Sequence, residues 1–217
     1  MNCELLLIAE VPRFDVADVV SVNEAFAGAL ALNFQPAQQL PKGSVFFGGQ
    51  VFLGWSGDCL AVDARLDDRE LWTVAQHRNE PLFLLGDTFE LFAGVQGERT
   101  YVEYHYAPSG LTSQLRWPDN ARKLGVGDTT GLEKYFVTDD KTHFAVHRTS
   151  SGWRVCVQMP ASALGLSVEE LRGLVWEISF GRYDYAKGGG AVVLSSTKAF
   201  SRLDFHLREE WSRCRFI

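Results

Sequence analysis

The sequence predicts an all-β fold, a two-sheet antiparallel β-sandwich with one or two short helices. Two observations carry this: apolar and polar residues alternate with a period of two in many short runs, and turn residues separate those runs. The clearest run lies at 58–66, where Leu60, Val62, Ala64 and Leu66 share one face and Ala61, Asp63 and Arg65 the other. One face is expected in the core and the other toward water or a ligand. Residues 88–94 repeat the pattern with Phe89, Leu91 and Ala93 against Glu90, although Phe92 interrupts the polar side. Residues 100–107 set Tyr101, Glu103 and His105 against Val102, Tyr104 and Tyr106, and Pro108, Ser109 and Gly110 supply the reversal.

In chain order, a first strand is expected at 4–11, stopped by Pro12. Val16, Val19, Val20 and Phe26 have helical spacing, so residues 15–32 are expected to hold a short amphipathic helix, against the low propensity of β-branched residues. Residues 33–43, with Gln and Pro, read as a loop. Within 44–55 the pair Gly48 and Gly49 predicts a bulge or tight hairpin. The three strands above follow, then an alternating run at 111–117 ended by Pro118, and an irregular stretch at 121–131. Short strands are expected at 132–137 and 143–148, joined by a turn with Asp139 and Asp140 at its tip. In 152–160, Trp153, Val155, Val157 and Met159 share a face before Pro160. Ser167 and Glu170 have capping-box spacing and predict a single short helix ended by Gly173. A strand at 174–182, a flexible turn at 183–190 and last strands at 191–194 and 202–207 complete the chain. Arg208, Arg213 and Arg215, interrupted by Glu209 and Glu210, read as a solvated face. The whole is expected to be a single domain over 1–217, with an extension at 1–43 before a core at 44–217.

Composition narrows the function. A formal charge of −6 without a basic stripe argues against nucleic acid. The apolar run in MNCELLLIAEVPRF is short and no basic leader precedes it, so a cytoplasmic chain, or one whose leader has been removed, is expected. No stretch approaches the roughly 20 apolar residues of a membrane span. Cys3, Cys59, Cys156 and Cys214 form no metal-spaced pair and are expected as free thiols, with Cys59 and Cys156 buried as small hydrophobes.

No nucleophile elbow, zinc-binding helix or phosphate loop is present. His143 and His147 share a strand face, but metal ligation by the pair is not expected; Asp87, Glu90 and Glu103 are the carboxylates that a glycosidase reading would pair, but Glu90 and Glu103 are expected to be solvated. A sugar site needs a flat aromatic platform with a few fixed polar groups. Trp55, Trp153 and Trp176 sit in apolar patterns and belong to the core. Trp72 lies in a long connection at 67–87 beside Arg78 and Asn79, and Trp117 follows Arg116, so these two are the candidate platforms.

The ordered segments FLGWSGDCLAVDARLDD, GDTFELF, YVEYHYAPSG, GWRVCVQMPASALG, WEISFGRYDY and LDFHL resemble the family 9 carbohydrate-binding modules over residues 45–217. The resemblance implies a non-catalytic protein that binds a mono- or oligosaccharide between two aromatic rings, with carboxylate, amide and arginine groups on its hydroxyls. On this sequence it points to Glu103 and Arg182, beside Trp72, Trp117, Arg116, Asn79 and Tyr183. It also implies structural calcium, for which Asp63, Asp67, Asp68 and Glu70 are the oxygen-rich stretch; no other cofactor is expected. Family members often carry a late tryptophan where this chain reads VVLSSTKAFSRLDFH, so Tyr183, Tyr185 or Phe200 must replace it. Without such a replacement, the sandwich would serve as a scaffold for a protein partner; an unrecognised glycoside hydrolase is the third reading. Relatives that hold haem use a methionine, but only Met1 and Met159 are present and Met159 faces the core, so haem is not expected.

Overall fold

The computed structural model describes residues 5–118, 128–138 and 141–217. Its strands are β1 (Leu5–Ile8), β2 (Leu30–Asn33), β3 (Gln35–Pro36), β4 (Gly49–Ser56), β5 (Cys59–Asp67), β6 (Thr88–Val95), β7 (Tyr101–Tyr106), β8 (Thr112–Trp117), β9 (His143–Thr149), β10 (Gly152–Pro160), β11 (Trp176–Tyr185), β12 (Val192–Ser196) and β13 (Ser212–Phe216). Three short helices join them: α1 (Val19–Ala25), α2 (Leu82–Leu85) and α3 (Val168–Gly173). The smaller sheet runs β2-β4-β5-β10-β9, and the larger runs β1-β13-β11-β6-β7-β8 with β12 and β3 attached beside β11. Every pairing is antiparallel except β1 with β13. The fold is thus the expected all-β sandwich.

The period-two patterns decide what lies between the sheets. Leu60, Val62, Ala64 and Leu66 from β5 and Trp153, Val155, Val157 and Met159 from β10 meet Phe89, Leu91, Val102, Tyr104, Tyr106 and Phe180 from the larger sheet. The outer faces are not left to water. Phe14, Val22 and Phe26 pack over Ala61 and Cys156 of the smaller sheet, and Phe92, Tyr101, Leu115, Trp117 and Trp211 form a third apolar cluster outside the larger one. Strands buried on both faces lose their polar side, which is why Phe92 broke the alternation of β6. No helix among the described residues is long and apolar enough to cross a membrane.

Several elements depart from expectation. The helix forms, capped by Asp18, but its buried residues are Val22 and Ala25 while Val20 is exposed, and β2 follows where helix was expected. No hairpin forms at Gly48: the carbonyls of Phe47 and Gly48 accept from Arg182, and that of Gly48 also from the Asp67 N–H. Residues 132–137 give a turn at Leu132–Lys134 and a single bridge from Phe136 to Leu115. β11 runs on through Tyr185. The 202–207 segment is a turn, because Asp204 accepts from the His206 N–H, and the closing strand is β13 in the charged end. There Arg208 is buried, with its guanidinium on Glu177 at 2.7 Å and on the carbonyls of Val95 and Thr100, so it is no solvated face. Trp211 lies in the outer cluster. Ser167 and Glu170 form the expected capping box. Cys59, Cys156 and Cys214 are free thiols, each pushed up to about 12 chiefly by burial. Cys3, the 119–127 part of the irregular stretch, and the turn tip at Asp139 and Asp140 lie outside the described residues.

Candidate functional site

On the outer face of the larger sheet, register brings polar groups together beneath aromatic rings. Glu90 of β6 stands opposite His105 of β7, and Tyr101 of β7 opposite Trp117 of β8. The His105 Nε2 lies 2.7 Å from Glu103 Oε1 and 3.2 Å from Glu90 Oε1. A nitrogen between two carboxylate oxygens carries its proton. The Trp117 indole N–H donates to Glu103 Oε2 at 2.6 Å. His206 Nε2 stands 3.6 Å from that oxygen, while its Nδ1 takes the Tyr101 hydroxyl at 2.8 Å. Glu90, Glu103 and His105 are all buried, against the expectation that outward carboxylates would be solvated. The reason is the cover: Phe83 of α2 stands edge-on to His105, and Tyr183, Phe205 and Phe200 continue the row at 5.7–5.9 Å between centroids. Gly181 makes room for it, since a Cβ there would come within 2.8 Å of Phe205 and 3.0 Å of Glu90.

The long connection supplies part of this cover. Its base is closed by hydrogen bonds of Val74 to Leu85 and Asp87 to Trp72, and Gly86, at φ 146, admits Thr73 and Trp72 where a Cβ would meet their backbone at 2.4 Å. Asn79, at φ 62, pins the connection to β8 by accepting from the Gln114 N–H at 3.1 Å.

Of the residues singled out from the sequence, Glu103, Trp117 and Tyr183 come together here. Trp117, however, is 2 % exposed and stacks on Tyr135 at 4.5 Å, so in this conformation its ring lies inside rather than on the surface. Arg116 points to the opposite face and donates to the Ala163 carbonyl at 2.6 Å. Arg182, next to Gly181, also faces inward. Trp72 is half-buried at the base of its connection, against Tyr185 at 5.5 Å. His105, His206, Tyr101, Phe83 and Phe205 were not singled out. The alternation in YVEYHY placed Glu103 and His105 on one face, but only pairing with β6 brings Glu90 to them.

A second group of carboxylates lies at one end of the sandwich. One oxygen each of Asp68, Asp87 and Asp184 lies within 4.8 Å of the others, and Arg182 reaches Asp68 at 3.1 Å and Asp184 at 3.5 Å. Burial pushes Asp87 up to about 7 although it accepts the backbone N–H groups of Trp72 and Tyr185; burial also pushes Asp184 up to about 6, opposed by Arg182. The Asp63, Asp67, Asp68 and Glu70 stretch does not converge on one point. Both oxygens of Asp63 are taken by Arg154 at 2.5 and 2.7 Å, Asp67 is exposed, and Glu70 pairs with Lys187. Hard carboxylate oxygens from Asp68, Asp87 and Asp184 suit calcium, and the Arg182 guanidinium pairs with two of them, Asp68 and Asp184.

Neither the family models nor the curated proteins give a match to this sequence. Solved structures do. A candidate carbohydrate-binding protein from Bacteroides uniformis ATCC 8492 superposes with a TM-score of 0.69 at 14% identity, over 100% of both chains. A family 9 carbohydrate-binding module from Caldicellulosiruptor kristjanssonii superposes in its cellotriose complex at 0.64, with 12% identity over 98% of this chain and 93% of that one. In its glucose complex the values are 0.62, 11%, 99% and 96%. The fold is therefore that of the family 9 carbohydrate-binding modules.

Proposed function

We propose that this chain is a non-catalytic carbohydrate-binding protein that takes a mono- or oligosaccharide on the outer face of its larger sheet. The ring would lie against Tyr183 and Phe200, the half-buried members of the aromatic row, with hydroxyls toward Glu90, Glu103 and His105. The observation that carries the reading is Glu103, held by two single ring nitrogens, an indole N–H at 2.6 Å and an imidazole at 2.7 Å. A carboxylate can accept at about four lone-pair positions, so a sugar hydroxyl can replace or extend single donors of this kind. The structural neighbours that bind glucose and cellotriose support the ligand class. Titration calorimetry with glucose, xylose and cellobiose tests it. Saturable heat should weaken at least tenfold in Glu103→Gln and in Tyr183→Ala; equal loss in Trp72→Ala would move the platform to the long connection. Absence of heat for every sugar sinks the reading.

One observation favours a second reading, a scaffold that kept the sandwich for a protein partner. Trp117, Glu103 and His105 are covered by this chain's own side chains. Saturable sugar binding would remove that alternative.

A further inference from the structure

The smaller sheet offers a different cavity. Asn33, Gln50, Arg65, Arg154 and His147 stand directly opposite one another on β2, β4, β5, β10 and β9. They form one outward polar row at the strand spacing of about 4.8 Å. All of this row but His147 borders a cleft of about 590 Å³, which runs from Asn23 of α1 past Gly48 and Gly49 to Trp153. Its size is within the roughly 300–1,000 Å³ of small-molecule pockets.

The chemistry of the lining is mixed and balanced. The Gln50 amide donates to Asn33 Oδ1 at 2.9 Å, which leaves the Gln50 carbonyl and the Asn33 N–H groups without a side-chain partner among the described residues. Asn23 Oδ1 accepts from Arg154 at 3.0 Å and Arg65 at 3.4 Å. Arg65 and Arg154 are matched by Asp63, which binds both, and by Asp67 on the rim. Two cations against two carboxylates favour a neutral ligand over an anion. Trp153, which alternates onto the inner face of the sheet, also borders the cleft with its ring buried in the core.

We propose that this cleft is a second binding site, for a neutral polyhydroxylated ligand of mono- or disaccharide size. Gln50, Asn33 and Arg65 engage its hydroxyls, and Trp153 borders the cleft from the inner side of the sheet. The site shares its ligand class with the outer-face reading but none of its residues, so either can fail alone.

Proton–nitrogen NMR of the whole chain, titrated with glucose, xylose and cellobiose, separates the two. The expected result is saturable shifts at the Gln50 and Asn33 amides and the Trp153 indole that persist in Glu103→Gln. They should weaken at least tenfold when Asn33→Ala and Gln50→Ala are combined, changes at exposed positions. Shifts confined to the Trp117 indole and abolished by Glu103→Gln would overturn the second site and leave the first. Shifts at Trp153 with none at Trp117 would keep the second and overturn the first. A spectrum unmoved by every sugar would overturn both.

Discussion

Asp63 and Glu103 are both outward-facing carboxylates on central strands, and both are buried, yet their neighbours hold them differently. Asp63, under α1, is gripped by the Arg154 fork at 2.5 and 2.7 Å and by Arg65 at 2.9 Å. Glu103, under the aromatic row, is met by an indole, an imidazole at 2.7 Å and a second imidazole 3.6 Å away. A guanidinium fork cancels a charge and fixes one geometry. Single ring nitrogens fix direction without the bidentate lock of a fork. The difference separates a carboxylate that closes a layer from one that is poised to meet a ligand.

The largest expected effect tests the first half of that contrast. Arg154→Met keeps much of the apolar stem but strips the fork from a fully buried Asp63. Breaking one partner of a buried pair costs about 3–5 kcal/mol, so urea denaturation should show a loss of that size. Adding Asp63→Asn should recover part of it, because the stranded charge is gone. A loss below about 1 kcal/mol would mean that Arg65 alone suffices, and the two faces would no longer differ as described.

The end of the sandwich supplies an intermediate case, three carboxylates facing one guanidinium with Tyr185 beside them. Asp87 and Asp184 are pushed up to about 7 and about 6, while an unfolded aspartate titrates near 3.9. The folded chain therefore holds protons that the unfolded chain has released. Their contribution is complete below about pH 4 and is lost as pH rises through 6 and 7. At about 1.4 kcal/mol per unit of difference, the midpoint of unfolding should fall measurably from pH 5 to pH 7.5. Asp184→Asn should flatten that slope; an unchanged slope would show that Asp184 remains ionised throughout.

The sandwich was legible because β5, β7 and β10 alternate cleanly and need no distant partner to reveal their faces. The site was legible only in part. Glu103 stood out on its strand, but Glu90 reaches it through cross-strand register, and Phe83 arrives from α2 in a connection whose path depends on the Gly86 closure. Arg182 shows the converse. It sits one residue from Gly181, which opens to the site, and strand alternation sends it to the other side of the sheet. β13 was hidden because Arg213 and Arg215 made an alternating strand look like a solvated tail.

The smallest effect tests the second half of the contrast. Trp117→Phe keeps an aromatic ring for the stacks on Tyr135 at 4.5 Å and Tyr101 at 6.0 Å, and deletes the N–H that Glu103 accepts at 2.6 Å together with one ring of the indole. Leaving a buried acceptor short of one donor costs about 1–3 kcal/mol. Glu103 also has His105 at 2.7 Å, so a loss toward the lower end is expected, well under that of Arg154→Met. Thermal unfolding of the two variants side by side gives the comparison directly. A loss in Trp117→Phe equal to that in Arg154→Met would make Glu103 as tightly committed to the fold as Asp63, and the outer face of the larger sheet would then be a closed layer rather than a place for a ligand.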